Sequence, residues 1–513
     1  MYPGTYAKSH PDRLAVVLAD SDRRLTYRAL DDNSAALARV LHDAGLRRGD
    51  VVALLTDNTV ESFEVFWATQ RSGLYITAVN RHLTPDEVAY IVRDSGAKAL
   101  VVSAALADLA AQVGALVPGQ ACRLAFGGEV DGFASYEDAL TDAGPRLDDE
   151  PGGAIMLYSS GTTGFPKGIQ PPLPDWQVAE SGDPLAMVAK HMFGIGEETV
   201  YYSAAPIYHA APLRWGGIIH ALGGTVVIAA KFDAETSLRH IEQYRVTAAQ
   251  MVPTMFVRIL KLDDSVRTRY DLSSLRVLIH AAAPCPQDVK QAMIDWLGPI
   301  VYEYYSSTEA NGMTFINSAE WLEHPGSVGK SVLGPVHICS DDGTVLSTGE
   351  IGTVYFEREV LPFTYHNDPE KTAAAQHPEH PNWTTVGDLG YLDEDGYLYL
   401  TDRKSFVIIS GGVNIYPQES ENVLALHPAV LDVAVIGIPD PEMGEQVKAV
   451  VQLAPGIEES ETLAAELIDY VRERIAHYKT PRSVDFVHEL PRTPTGKLVK
   501  GKIRDPYLTS ASG

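Results

Sequence analysis

"SSGTTGFPKG", Ser159 to Gly168, sets three glycines among hydroxyl side chains and closes on a single lysine. Glycines let backbone N–H groups approach an anion, hydroxyls donate hydrogen bonds, and Lys167 supplies charge. The stretch suits a loop that wraps a phosphate. It is not a Walker A loop, because Pro166 precedes the lysine and Gly168 follows it where that motif needs Gly-Lys-Ser/Thr. Alone, it also reads as a Gly/Ser/Thr surface turn. The rest of the chain decides between the two.

At 513 residues the chain is too long for one core, and two or three domains are expected. Hydrophobic residues make up 45% and charged residues 21%, an ordinary globular composition. Acidic residues outnumber basic ones by 67 to 41, a net charge of −26. That balance argues against nucleic acid or an anionic membrane as a bulk partner, but a local positive site for an anionic nucleotide remains compatible with it. Cys122, Cys285 and Cys339 are far apart and form no Cys-x-x-Cys pair, so neither a disulfide framework nor a zinc site is expected, and a reducing compartment fits. The first residues, "MYPGTYAKSHPDRLAVV", lack a basic segment followed by an apolar run. No apolar stretch approaches the roughly 20 residues of a membrane helix. The expectation is a cytoplasmic protein with no integral membrane segment.

Working outward from the loop, short apolar runs alternate with amphipathic stretches. Leu30, Leu37, Val40 and Leu41 fall at helical spacing before Gly45; "DVVALL" reads as a buried strand; and "VESFEVFWATQRSG" reads as a helix with Val60, Phe63 and Trp67 on one face. "TPDEVAYIVRDSG" begins with Thr84 as a cap, Pro85 at the first helical position and Glu87 completing a capping box. Alternation of this kind favours a parallel or mixed sheet covered by helices. From Arg403 the character changes. "FVIISGGVNIYPQESENVLALHP" reads as strand, glycine turn and helix, "VLDVAVIGIPDPEMGEQVKAVVQLAP" as two strands around a Pro/Gly loop, and "SETLAAELIDYVRERIAHY" as a helix. The tail "PRTPTGKLVKGKIRD" is basic and interrupted by Pro and Gly. This segment reads as a separate small α/β domain.

Three further motifs follow the opening loop in fixed order: "YYSSTEANG" with Thr308 and Glu309, "TTVGDLGYLDEDGYLYLTDRKS" with Asp388 and Arg403, and "PRTPTGK" with Lys497. Together they resemble the adenylate-forming superfamily of acyl-CoA synthetases, luciferases and adenylation domains. The resemblance runs from "LTYRALDDNSAALARVL" to "GKIRD", nearly the whole chain. It implies an α/β fold: a large N-terminal domain of mixed sheets covered by helices, residues 1–402, and a small mobile α+β domain, residues 403–513, with a hinge near 403–406.

The same resemblance implies roles. Ser159, Ser160, Gly161, Thr162, Thr163, Gly164 and Lys167 would hold the β- and γ-phosphates of ATP. Thr308 would touch the α-phosphate and Glu309 would hold Mg²⁺, a hard cation that favours oxygen ligands. Asp388 would accept both ribose hydroxyls with Arg403 beside it. Tyr305, Ser306 and the segment Ala281, Ala282, Ala283 and Pro284 would frame the adenine. Lys497 would bridge the incoming carboxylate and the phosphates. After rotation about Ser405, the turn Ser410-Gly411-Gly412 would face the thiol of coenzyme A. The sequence departs from the family's pattern at Ser405, where Asp or Lys is common, at Phe406, where an acid is usual, and at Ser306, where Gly is usual.

"APIYHAAPLRW" bears on the acid. Amino-acid-activating relatives place an aspartate near this point; Tyr208-His209 occupies the slot instead, which disfavours an amino acid, and His209 would gate the carboxylate's approach. The expected acyl pocket is Trp215, Gly216, His280, Asn311, Gly312 and Met313. Its small apolar walls suit a large hydrophobic acid, either polycyclic (terpenoid or steroid-like) or a medium- or long-chain fatty acid, with an aromatic acid next. The expected enzyme is an AMP-forming acid:CoA ligase. Loading of the acid onto a carrier-protein phosphopantetheine is the near alternative, a luciferase-like oxygenase and a non-catalytic nucleotide binder are further ones, and a homodimer is compatible. "HPEHPNW", with His377 and His380, reads as an exposed loop without function.

Overall fold

Both faces of a parallel sheet must be covered, and the unbroken apolar runs of this chain form such sheets. The computed structural model describes residues 2–159, 166–180, 183–403, 406–492 and 498–509. Its largest sheet has nine strands in the order Lys330–Ser331, Met313–Ile316, Val301–Ser306, Val277–His280, Ala248–Met251, Val200–Ser203, Thr225–Ile228, Leu14–Leu18 and Arg24–Thr26. From Val301–Ser306 to Leu14–Leu18 the pairing is parallel, and the flanking strands are antiparallel. A second sheet of six parallel strands contains Val51–Leu55 at its centre, beside Tyr75–Val79 and Ala97–Ser103.

Two helices fill the space between these sheets. Glu61–Gln70 is buried on every side rather than along the one stripe its spacing suggests, because it has a layer on each face. It crosses Ala210–Ala221 at a pair of glycines. A Cβ on Gly216 would stand 2.2 Å from the Phe63 ring, and one on Gly217 2.6 Å from Phe66. The capping box at Thr84 forms as its sequence dictates, with both reciprocal hydrogen bonds to Glu87 present. The Tyr27–Asp43 helix is likewise capped by the Thr26 hydroxyl and stops before Gly45 at φ +93°.

A third sheet pairs Asp388–Leu392 with Leu398–Arg403 and Gly352–Glu357. Arg403 ends it; the next strand, Ile408–Ser410, belongs to a different sheet with Val413–Ile415, Gly444–Leu453, Val430–Asp440 and Ser483–Val487. Val413–Ile415 is a strand where the sequence suggested a turn running into a helix. The basic tail adds an unforeseen helix, Lys500–Thr509, whose Ile503 packs with Ala434, Ile436 and Val450. No helix among the described residues is long and apolar enough to cross a membrane.

The reading of "HPEHPNW" as an exposed loop is corrected at His377, which is buried. Its Nδ1 accepts from the backbone of Glu379 and His380 and its Nε2 donates to the Gly343 carbonyl, so both nitrogens brace the loop. Trp383 is sandwiched between His337 and His380, which secures the same segment by ring stacking.

One buried ion cluster ties the first helices to the linker before the phosphate loop. Arg71, 1% exposed, pairs with Asp31 at 2.9 Å and Glu150 at 2.8 Å, while Arg146 takes the other Asp31 oxygen at 2.6 Å. Truncating Arg71 to Ala leaves Asp31 to Arg146 alone and takes the partner from the half-buried Glu150, at a cost of about 3 kcal/mol. Denaturant unfolding of Arg71→Ala should show a loss of that order, with Arg71→Lys between it and the parent.

Candidate active site

A carboxylate draws three elements together. Asp388 and Arg403 are cross-strand partners, with Arg403 Nε 2.9 Å from Asp388 Oδ1. From the nine-stranded sheet, the Tyr305 hydroxyl donates to Asp388 Oδ2 at 2.6 Å. Burial and the adjacent Asp388 charge hold the Tyr305 phenol well above its ordinary pKa, so it stays a donor. The carboxylate oxygens keep further lone pairs to accept hydroxyls. Tyr305 also packs on Phe356, with ring centroids 6.0 Å apart, and so docks the third sheet against the first.

Beyond Tyr305 the strand turns sharply. The Ser306 hydroxyl donates to the Gly312 carbonyl at 2.7 Å, Ser307 donates to Asn311 Oδ1 at 2.8 Å, and Asn311 Nδ2 donates to the Thr384 carbonyl at 3.2 Å. Ala310 is left-handed at φ +49°, and Ala282, beyond the end of the neighbouring strand Val277–His280, is left-handed at φ +76°. Two alanines in a region that L-residues avoid mark a backbone held by its surroundings, at a cost of about 1–3 kcal/mol each. The turn leaves Thr308 exposed and Glu309 half-buried, while Ala281 is buried and Ala282 and Ala283 are exposed.

On the phosphate side, Leu157–Ser159 and Lys167–Gln170 form a hairpin with Ser159 opposite Lys167. Ser160, Gly161, Thr162, Thr163 and Gly164 lie outside the described residues. The strand Thr364–Tyr365 pairs with Lys167–Gln170, and this pairing brings in residues the sequence did not single out. The Tyr365 hydroxyl donates to Glu309 Oε1 at 2.8 Å. The Lys371 ammonium sits 4.1 Å from the centre of the Tyr365 ring. Asp368 caps the Pro369–Ala374 helix and pairs with Lys167 at 3.0 Å. That contact raises the Lys167 pKa, while the Lys371 backbone N–H and then Lys167 lower that of Asp368. Glu309, a half-buried carboxylate held by Tyr365, fits Mg²⁺, which takes one or two protein carboxylates and fills its remaining positions with phosphate and water.

The opposite face of the same strand carries a different network. The Tyr304 hydroxyl accepts from Trp215 Nε1 at 3.2 Å and Gln250 Nε2 at 2.7 Å, and Tyr201 donates to Gln250 Oε1 at 3.2 Å. Tyr201 stacks on Trp215, and Phe193 meets Trp215, Tyr302 and Phe315 edge-on. His209 stands at the start of the Ala210–Ala221 helix with its ring 4.4 Å from that of Tyr208. Of the expected pocket residues, Trp215 joins this wall. Gly216 faces Phe63, and a Cβ on Gly312 would fall 1.9 Å from Phe356. Asn311 braces the turn, and Met313 is buried opposite Ser306. His280 does not join Trp215: strand alternation sends it to the other face, where it meets Phe256 at 5.3 Å and lies 3.4 Å from Glu303, itself paired with Lys290 at 2.6 Å.

Residues 5–363 match the AMP-binding enzyme family and residues 419–497 the AMP-binding enzyme C-terminal domain. The chain belongs to the AMP-binding enzyme family. A feruloyl-CoA synthase from Amycolatopsis sp is 34% identical over 510 residues, covering 98% of each chain. The long-chain-fatty-acid–CoA ligase FadD13 of Mycobacterium tuberculosis is 31% identical over 97% of this chain and 96% of its own. Among solved structures, the anthranilate CoA ligase AuaEII in complex with anthranoyl-AMP superposes with a TM-score of 0.85 at 26% identity, covering 100% of this chain and 97% of the other. These relatives place the chain in the acid–thiol ligase branch of the adenylate-forming superfamily.

In this AMP-binding enzyme the turn Ser410-Gly411-Gly412 is a tight hairpin. Ser410 is buried and pairs with Val413, Gly411 and Gly412 have φ of +58° and +78°, and a Cβ on Gly411 would reach Met443 at 2.4 Å. Ser405 and Lys497 lie outside the described residues. Tyr304 was visible in the sequence as half of an aromatic pair, and Asp368-Pro369 as a helix start; Tyr365 has no sequence signal, since only strand pairing delivers it. Tyr365→Phe should weaken MgATP binding by about tenfold to a hundredfold in calorimetry, the usual worth of a hydrogen bond to a charged group, with little change in melting temperature. Asp388→Asn should cost at least as much, because it loses charge from bonds to both Arg403 and ribose.

Proposed function

We propose that this enzyme activates a compact, flat carboxylic acid with ATP and transfers the acyl group to coenzyme A. The coarser reaction class, AMP-forming ligation of an acid to a thiol, follows from its family and branch. The observation that carries the finer reading is the hydrogen-bonded wall of Trp215, Tyr304, Gln250 and Tyr201 one residue from the Asp388-binding Tyr305. Small walls had suggested a bulky acid; aromatic rings fill that space instead. A planar acid can stack there, whereas a polycyclic or long-chain acid must displace a satisfied network. The feruloyl- and anthranilate-activating relatives support an aromatic acid.

In the first step a carboxylate oxygen bonds to the α-phosphorus while the bond to pyrophosphate breaks. Two anions must meet, so charge and in-line placement dominate the barrier. Asp388 holds the ribose and Tyr305, with Ala281 to Pro284 and Ser306, the base. Thr308 contacts the α-phosphate and Lys167 the outer phosphates, releasing Asp368. Glu309, held by Tyr365, would carry Mg²⁺, which supplies charge neutralisation on the phosphate oxygens when bound. His209 orders the carboxylate's approach, and Lys497 bridges it to the phosphates. Rotation about Ser405 then withdraws Lys497 and presents Ser410-Gly411-Gly412. The CoA sulfur bonds to the acyl carbon, its proton is lost, and AMP leaves.

Mass spectrometry of mixtures with ATP, Mg²⁺ and ferulic, cinnamic, benzoic, palmitic and cholanic acids tests this, with CoA or a phosphopantetheinyl carrier protein as acceptor. An aromatic acyl-CoA is expected; exclusive use of palmitic or cholanic acid would refute the compact pocket, and product on the carrier protein alone would refute the acceptor. Tyr304→Gly should raise the kcat/KM ratio of dodecanoic over ferulic acid by at least about tenfold, a pocket change of several methylenes at roughly 0.8 kcal/mol each.

A further inference from the structure

The helix Pro417–Leu424 opens the small domain's fold and begins without a cap of its own. Its N-cap residue, Tyr416, offers no side-chain hydrogen bond, and Pro417 at the first position has no N–H. The first free donor is therefore the N–H of Gln418. It is taken by Asp402 Oδ2 at 3.2 Å, a carboxylate on the last strand of the large domain. The cap crosses the hinge.

Other groups converge on the same place. Lys500, three residues beyond Lys497, pairs with Glu421 at 2.8 Å, one turn along the capped helix. Both are buried, and the Lys500 ammonium lies 5.3 Å from the centre of the Phe406 ring. Glu421 Oε1 also accepts from the Val435 N–H at 2.7 Å, fixing the helix to the small sheet. Burial raises the Asp402 carboxyl and Lys500 opposes the shift, as expected for a carboxylate enclosed at the junction. A second bridge runs from the Lys261 ammonium, after the Pro253–Leu260 helix, to the Val430 carbonyl. Meanwhile residues 411–414, the tip of the glycine turn, are exposed. The arrangement held by these bridges thus leaves the turn uncovered by the large domain.

We propose that Asp402 is a positioning residue: by capping the Pro417–Leu424 helix across the hinge, it holds the small domain in the adenylating pose, with the glycine turn outside, and it must release that cap before thiolysis. The hinge itself carries Ser405 and Phe406 in place of charged residues, so the neighbouring Asp402 carboxylate supplies the fixing contact, with the Lys500–Glu421 pair bracing the capped helix within the small domain. This inference rests on the two-step reading above. A cap removed costs about 1 kcal/mol, or about fivefold in an equilibrium between poses.

Two measurements test it on the full-length chain. Fluorescent labels at Val360→Cys and Val413→Cys, both exposed positions on opposite sides of the hinge, report the domain arrangement by single-molecule energy transfer without any substrate. Asp402→Ala should raise the population of a second arrangement about fivefold, and Asp402→Asn, which keeps an oxygen acceptor, should restore most of the parent distribution. Kinetically, CoA thiolysis of synthetic feruloyl-adenylate should quicken in Asp402→Ala, up to about fivefold, while pyrophosphate release from ferulic acid and ATP slows only in proportion to the adenylating population lost. An unchanged distribution, or equal loss in both half-reactions, would overturn the proposal. If the parent turns over neither probe, the acid reading fails and the energy-transfer result alone decides Asp402.

Discussion

The site depends on one carboxylate with two fixed neighbours. Asp388 accepts from Tyr305 on one sheet and pairs with Arg403 on another, so the carboxylate proposed to receive ribose also clamps the two sheets together. Its position is not a property of any single element. It requires the Asp388–Leu392 and Leu398–Arg403 strands in register and Tyr305 docked on Phe356. The strand ends at Arg403, with Asp402 beside it, so the proposed nucleotide contact and the proposed hinge adjoin, and on that proposal domain rotation and nucleotide hold share a foundation.

A chain with net charge −26 keeps the cations around this site committed to local partners. Lys167 rests on Asp368, Arg403 on Asp388, and Lys371 over Tyr365, so none is an uncompensated charge in the resting site. On the proposed function, phosphates would exchange for these partners rather than enter a bare positive cleft. Such exchange lowers the gain in binding but orders the side chains beforehand, which favours the later, more charge-demanding state.

The fold's outline was legible wherever a local rule sufficed. The Thr84 capping box, the Gly45 stop, the strand "DVVALL" and the two long strands of the small domain all follow from neighbours within a few residues. Failures share a cause: they depend on what lies across the structure. Glu61–Gln70 is buried all round because of two layers, His280 points away from Trp215 because of strand parity, and Tyr365 reaches Glu309 through a pairing of two short strands. The ordered motifs put Asp388, Arg403, Tyr305 and Glu309 on the page as a set. Of their partners, Asp368 was marked only as a helix start, and Tyr365 and Asp402 are joined to the set by the fold alone.

Strand alternation finally explains how one short segment can answer to two ligands. In Val301–Ser306, Tyr302 and Tyr304 pack toward Trp215 and Phe193 on one face, while Glu303 and Tyr305 face Lys290 and Asp388 on the other. Tyr304 and Tyr305 are adjacent residues on a backbone held there by pairing with Phe315 and Thr314 of the next strand. An acid too long for the wall must push Tyr304, and a close-packed strand cannot yield at one residue without moving the next. Displacement at Tyr304 is therefore felt at Tyr305 and, through its hydrogen bond, at Asp388. On this reasoning acid size enters the reaction twice, once through the volume of the pocket and again through the placement of the nucleotide.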